Sequence, residues 1–219
     1  MHIPYVPCIL RKFLPDDITW SFRAGKSFDQ DRETTTGKSI YITFDDGPIP
    51  EVTPLVLDIL TEYEAKATFF CVGNNVSKYP DVFRRIVNDG HSVGNHTFSH
   101  LNGFKSDTGE YLEDIEKCNS LINSNLFRPP HGRMKITQYK AVKDKYRIIM
   151  WSVLTGDYNK KLSKEEVLNN ALKYTKEGSI IVFHDSLKAA ESMLYALPAM
   201  LKHFSQRGYQ FKAINQEPL

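Results

Sequence analysis

Residues 39–48 read Ser39-Ile40-Tyr41-Ile42-Thr43-Phe44-Asp45-Asp46-Gly47-Pro48. β-branched and aromatic residues run as a strand would and stop at two carboxylates followed by a Gly-Pro turn signal. About fifty residues on, Asn95-His96-Thr97-Phe98-Ser99-His100 carries two histidines four positions apart, the spacing of one helical turn. One aspartate and two histidines can hold a Zn²⁺-like ion and leave coordination positions open. The spare aspartate then stands where a base can act on water at the metal. The two patches together predict a metal-assisted hydrolase.

Outward from this stretch the chain alternates two periods. β-rich runs fall at 39–44, 67–72, 91–95, 126–128, 146–151, 179–183 and 209–213. Helix candidates lie between them near 54–64, 80–89, 107–123, 136–145, 164–175 and 188–207. Thr53-Pro54 reads as an N-cap with proline at the first helical position. Asp107 with Glu110, and Ser163 with Glu166, have capping-box spacing. Gly90, Gly178 and Gly208 stand where a helix stops just before a strand. Leu112, Ile115, Cys118 and Ile122 share one face of the helix near 107–123. Seven strands alternating with helices predict a single-domain α/β fold with a parallel, covered sheet. The count favours a barrel, and an open doubly wound sheet fits the same pattern. Residues 1–38 are irregular, interrupted by Pro4, Pro7 and Pro15. They read as an N-terminal arm that packs Trp20 and Phe22 onto the body formed by 39–219 and covers the bottom of the barrel.

In a parallel βα barrel the active site gathers at the C-terminal strand ends. Asp45, Asp46, His96, Arg128, Asp157 and His184 all end or follow strand runs, so five strands deliver ionisable groups to one rim. His91 begins its run at the opposite end and reads as structural. Trp151 ends an apolar run and reads as core. Singly the pieces are ordinary: Asp-Asp-Gly suits a turn, and Arg128-Pro129-Pro130-His131-Gly132 suits a rigid loop. Their sharing one rim is what argues for a site.

Composition removes other classes. Of 219 residues 41% are hydrophobic and 25% charged, ordinary for a globular protein. With 28 basic against 26 acidic residues the net charge is +2, and no basic stripe offers a nucleic-acid partner. No apolar run reaches the ~18 residues of a transmembrane segment. Cys8, Cys71 and Cys118 form neither a metal pair nor a disulfide framework, and Cys71 is expected buried and reduced. No signal peptide is visible, because Arg11 and Lys12 break the first apolar stretch. Read as given, the sequence predicts a cytoplasmic protein; a leader missing from it would place the protein outside the cytoplasm.

The ordered motifs resemble the polysaccharide deacetylases of carbohydrate esterase family 4, the NodB homology domain. Thr43-Phe44-Asp45-Asp46-Gly47 is similar to the first family motif and His96-Thr97-Phe98-Ser99-His100 to the second, His-(Ser/Thr)-x-x-His. Arg128-Pro129-Pro130-His131-Gly132 is similar to the third, Arg-x-Pro-x-Gly, and Val182-Phe183-His184 to the fifth. The fourth, Asp-x-x-Asp-Trp in the family, is altered here to Leu154-Thr155-Gly156-Asp157-Tyr158. The resemblance spans roughly 39–213 and implies a distorted TIM-like (β/α)7–8 barrel.

The resemblance also implies roles. Asp46, His96 and His100 would hold a divalent metal, Zn²⁺ first, with Co²⁺, Ni²⁺ or Fe²⁺ also suited to these ligands. Asp45 would be the general base, held by Arg128. His184 would be the general acid, held by Asp157. The backbone N–H of His131 would meet the oxyanion, and Val182, Tyr158 and Leu154 would line the acetyl-methyl pocket. The implied function is removal of acetyl groups from an N-acetylated carbohydrate, such as an N-acetylglucosamine-containing peptidoglycan or chitin oligomer. An O-acetyl esterase of the acetylxylan type and a non-catalytic, metal-containing saccharide-binding domain are the alternatives. The implied partner is an acetylated carbohydrate, and the oligomeric state stays open.

Overall fold

The computed structural model describes residues 4, 15, 17–22 and 38–215. Strand β1 (Lys38–Asp45) lies at the middle of the sheet and shows why its sequence reads as it does. Ile40, Ile42 and Phe44 are fully buried in the layer between sheet and helices. Their neighbours Tyr41, Thr43 and Asp45 face the other way, as the two-residue period of a strand requires. Tyr41 joins an inner cluster with Phe70, Leu126, Ile149, Ile180 and Ile214. The barrel interior is therefore apolar at its lower end and polar at the top, where Thr43 and Asp45 sit.

The elements follow in order: α1 (Thr53–Glu62), β2 (Ala67–Cys71), α2 (Gly73–Lys78), α3 (Pro80–Asn88), β3 (Ser92–Asn95), α4 (Thr108–Ile122) and β4 (Leu126–Phe127). A 3₁₀ turn (Pro130–Gly132), α5 (Ile136–Val142), β5 (Arg147–Ile148), β6 (Val153–Leu154) and α6 (Lys164–Lys173) come next. β7 (Ile180–His184), α7 (Ala190–Ser205) and β8 (Tyr209–Phe211) complete them. The sheet runs β5-β4-β3-β2-β1-β7-β6, with β8 paired to the lower part of β1. Every pairing between these strands is parallel. The sheet curls into a distorted half-barrel. Ile149 N–H still bonds to Phe127 on β4, whereas Ser152 N–H bonds to Ile180 on β7, so residues 149–152 span the open side.

That crossing corrects one expectation. The run expected over 146–151 is a strand only at Arg147–Ile148, and Val153–Leu154 forms an additional strand beside β7. After Ile149 the chain leaves β4, and from Ser152 it pairs with β7. Residues 17–22 fill part of that gap. Thr19 bridges Ile149, Ser21 bridges Ser179, and Phe22 N–H donates to Gly178 O at 2.8 Å. Trp20 packs on the cluster around Phe127 and Phe22 on the inner cluster. The rest of the expected 1–38 arm, with Cys8, lies outside the described residues apart from Pro4, Pro15 and Lys38, which opens β1.

Helix caps follow the sequence in part. Ser163 and Glu166 make a reciprocal capping box at the start of α6. Asp107 caps α4 through Gly109 N–H at 2.7 Å. Thr53 is not a cap: it is the first residue of α1, and its hydroxyl donates instead to buried Asp185 at 2.6 Å. On α4 the buried face is Tyr111, Ile115, Cys118 and Ile122, with Leu112 half-buried beside it. Cys71 and Cys118 are buried free thiols. No helix among the described residues is long and apolar enough to cross a membrane.

Gly178 is where the 17–22 segment meets the barrel. Its φ is +76°, and a Cβ there would lie 2.0 Å from Phe22 O. Gly208 has a similar φ of +74° with nothing within 4 Å of that position. Both Gly→Ala variants meet the left-handed backbone penalty of roughly 1–2 kcal/mol. Gly178→Ala must also displace Phe22 and should lose clearly more stability in urea unfolding. Equal losses for the two variants would show that the Phe22 contact contributes nothing.

Candidate active site

Arg128 follows β4 and is fully buried inside the barrel. Its Nη1 donates to Asp45 Oδ1 and to Thr43 Oγ1, both at 2.7 Å. Its Nε donates to Ile149 O and its Nη2 to Met150 O, each at 3.0 Å. The guanidinium also lies 4.0 Å over the Phe70 ring. Burial pulls Arg128 below its ordinary pKa, and Asp45 opposes that pull. The Arg128 carbonyl accepts from His96 Nδ1 at 2.7 Å. A carbonyl only accepts, so this bond puts the His96 proton on Nδ1 and leaves Nε2 bare.

His96 Nε2 faces two carboxylates, 4.0 Å from Asp45 Oδ2 and 3.9 Å from Asp46 Oδ1. His100 Nε2 lies 3.2 Å from the same Asp46 oxygen. One ligand atom each from Asp46, His96 and His100 falls within 4.8 Å of the others. Tetrahedral ligands about 2.0–2.1 Å from Zn²⁺ stand roughly 3.3 Å apart, so this donor set fits a divalent metal. Burial, the largest influence, holds His96 down to about 4, which keeps its Nε2 lone pair free at neutral pH. Burial pushes Asp46 up, but the His100 hydrogen bond and the nearby His184 and His96 outweigh it and hold the group well below the usual carboxylate range.

The 96–100 stretch is not a helical turn, although its spacing fits one. Thr97 and His100 have φ of +61° and +56°. The loop is held from three sides instead. Thr97 N–H donates to Asn95 Oδ1, Phe98 and Ser99 N–H donate to Asp114, and Gly73 and Asn74 N–H donate into the loop. Asp46 is also left-handed, at φ +83°. Its carbonyl accepts from Asn75 Nδ2 at 2.8 Å. Helix α2, which carries Asn75, is short and lacks an apolar stripe, so periodicity gave no sign of it.

Across the cavity, His184 ends β7. Its Nδ1 donates to Asp157 Oδ1 at 2.8 Å, and its backbone N–H donates to Asp157 Oδ2 at 2.7 Å. Burial depresses His184, yet Asp157, with Asp46 and Asp45, pushes it up to about 9. A cavity of about 740 Å³ joins this histidine to the Asp46–His96–His100 cluster, and Leu154, Tyr158 and Val182 line it. His131, at φ +58°, also lines it, with its ring edge-on to His100 at 4.8 Å. Every residue expected at the site is thus brought to one rim. His91 lies at the other end of its strand, where its Nδ1 accepts from Ala67 N–H at 3.2 Å.

Two residues differ from the sequence reading. Trp151 is half-buried and lines the cavity as well as packing on the core, because the chain turns upward as it crosses from β4 to β7. Asp185 is a further buried residue beside the site. It is 1% exposed and holds Gly47 N–H at 2.9 Å and the Thr53 hydroxyl, which pins the loop after Asp46. Burial pushes its carboxyl up to about 8. Its signal was available, since it directly follows a strand-end histidine.

An α/β barrel with an Asp-His-His cluster, an Arg128–Asp45 pair and a His184–Asp157 pair at its C-terminal rim is the class that fold and site define. The polysaccharide deacetylase family matches residues 32–148. The chain is 36% identical to a peptidoglycan-N-acetylglucosamine deacetylase of Bacillus cereus over 180 residues, which span 78% of this chain and 65% of that protein. It is 39% identical to a chitooligosaccharide deacetylase of Azorhizobium caulinodans over 174 residues, 75% of this chain and 81% of that one. Among solved structures, the Bc1960 peptidoglycan N-acetylglucosamine deacetylase superposes with a TM-score of 0.81 at 30% identity, over 96% of this chain and 95% of its own. The chain belongs to the polysaccharide deacetylases of carbohydrate esterase family 4.

The Arg128–Asp45 pair can be tested as a unit. Arg128→Met leaves a buried carboxylate without its partner and should cost roughly 3–5 kcal/mol in unfolding free energy. Adding Asp45→Asn should recover part of that loss. A double variant as unstable as the sum of the two singles would remove the pair as the stabilising element.

Proposed function

We propose that this protein removes the acetyl group from N-acetylglucosamine units of a glycan by metal-dependent hydrolysis. One observation carries the reading. Three potential metal ligands, a carboxylate held by a buried arginine and a histidine held by a buried aspartate all open onto one cavity. The named deacetylase relatives support it.

Asp46, His96 and His100 would hold the metal. Zn²⁺ is the first choice, because two imidazoles and a carboxylate suit it; Co²⁺, Ni²⁺ and Fe²⁺ share these ligands. When bound, the metal supplies a Lewis acid that lowers the pKa of water and polarises the acetyl carbonyl. Asp45 accepts the proton of the attacking water as general base. Arg128 fixes the oxygen that Asp45 does not use and keeps the other aimed at the cavity. The backbone N–H of His131 donates to the carbonyl oxygen as it gains negative charge. His184, protonated on Nε2 and anchored through Nδ1, gives its proton to the leaving nitrogen. The methyl group sits against Val182, Tyr158 and Leu154, where Tyr158 stands in for the tryptophan usual in the family and adds a hydroxyl.

The direct test is acetate release by the metal-stripped protein, reloaded with Zn²⁺ or Co²⁺, on N-acetylglucosamine oligomers and on acetylxylan. Metal-dependent release from the oligomers is expected. Release from acetylxylan alone would replace the reading with an O-acetyl esterase. Asp45→Asn should keep the bound metal by elemental analysis and lower kcat by ~10²–10⁴, whereas His96→Ala should lose both metal and turnover. Near-normal turnover in Asp45→Asn would sink the base assignment.

His184 acts while protonated, so activity should fall as pH rises through about 9. Asp157→Asn removes the group that holds this pKa up and should move the alkaline limb of the kcat profile downward. An unmoved limb would take the acid role away from His184.

A further inference from the structure

Three cationic side chains that the mechanism does not use line the same cavity: Lys105, Arg133 and Lys188. They come from three loops, after β3, β4 and β7, and all three are exposed. Among the described residues none of them is paired with a carboxylate. Lys188 lies 5.8 Å over the Tyr158 ring, at the wall assigned to the acetyl group. The acidic side chains lining the cavity are Asp45 and Asp46, and both are engaged, with Arg128 at 2.7 Å and with His100 at 3.2 Å. A divalent metal on Asp46, His96 and His100 would make the floor more positive still. General basicity does not explain the rim, because the whole chain carries only +2. A cleft lined by one sign of charge concentrates its field on an incoming ligand and favours the opposite charge.

We propose that Lys105, Arg133 and Lys188 select an acidic glycan: the acetylated sugar occupies the floor while carboxylate or phosphate groups on neighbouring sugars meet the rim cations. The inference rests on the deacetylase reading above and narrows its substrate class to anionic strands over neutral ones. The cavity, at about 740 Å³, lies within the usual size range of ligand pockets and is lined by the three cations together with the site residues. Exposed ion pairs are individually weak, so each cation contributes a few-fold and the three together roughly tenfold, acting mainly on binding. Screening makes the preference salt-dependent.

The test compares kcat/KM of the Zn²⁺-loaded protein on matched oligomers. One is a neutral N-acetylglucosamine oligomer and one a peptide-free peptidoglycan strand with free carboxylates. The third is that strand with its carboxyls methyl-esterified, and the fourth a phosphate-substituted oligomer. A preference of roughly tenfold or more for either anionic strand at low salt is expected, and which strand it is identifies the anion. It should shrink as salt rises and, for the carboxylate strand, on esterification. The triple variant Lys105→Gln/Arg133→Gln/Lys188→Gln should lower the anionic-to-neutral ratio several-fold through KM. A ratio near one, or a ratio unchanged in the triple variant, would overturn the inference and leave the deacetylase reading intact. Binding of the same strands to Asp45→Asn protein reads the rim without turnover. Anion-selective binding with no acetate released by the unmutated protein would retain the rim and overturn the deacetylase reading instead.

Discussion

The Arg128 guanidinium is the fixed point of this structure. It is fully buried at the end of β4, yet four of its N–H bonds reach Thr43, Asp45, Ile149 and Met150. Two of these partners lie on β1 and two on the stretch that leaves the sheet edge to cross the open side of the barrel. A charge placed there is costly unless it is paired and hydrogen-bonded throughout. Here it is both, and the stacked Phe70 ring adds a cation–π contact. The same residue's carbonyl sets the His96 tautomer. Barrel closure, the orientation of Asp45 and the availability of His96 Nε2 therefore depend on one side chain and its own backbone.

Around this point the backbone is strained. Asp46, Thr97, His100 and His131 are all left-handed without being glycine. Non-glycine residues in that region cost of order 1–3 kcal/mol each and persist only where their surroundings over-determine them. The surroundings do so here. Asn75 and Asp185 hold the loop around Asp46, and Asp114 and the start of α2 hold the 96–100 loop. The consequence is geometric: two loops from different strands bring Asp46 Oδ1 and His100 Nε2 to 3.2 Å.

This division explains what was legible in the sequence. The strand–helix alternation, the parallel sheet and the rim assignment of Asp45, Asp46, His96, Arg128, Asp157 and His184 could be read directly, because strand period and strand-end position are local signals. What escaped were features set by tertiary contact. β6 is two residues long and exists because β7 offers it a free edge. Thr53 reads as a cap, but buried Asp185 takes its hydroxyl. The histidine spacing matches a helical turn, yet hydrogen bonds from neighbouring elements impose a different path. Trp151 looks like core until the chain's crossing to β7 turns it toward the cavity.

The two central histidines show how this fold would divide chemistry between identical side chains. His96 is surrounded by protein and its Nδ1–H donates to a neutral carbonyl, so burial dominates and drives it down to about 4. His184 is partly buried, but its Nδ1 meets a carboxylate, and Asp157 overcomes the burial penalty to raise it to about 9. At neutral pH one ring presents a lone pair and the other a proton. Environments that push like groups apart in this way mark complementary acid and base assignments. A metal ligand must be the neutral ring and a general acid the charged one, which is the order the proposed hydrolysis requires. The group that accepts from each Nδ1, the Arg128 carbonyl for His96 and the Asp157 carboxylate for His184, sets this difference, and both acceptors stand just beyond strands of the same barrel rim.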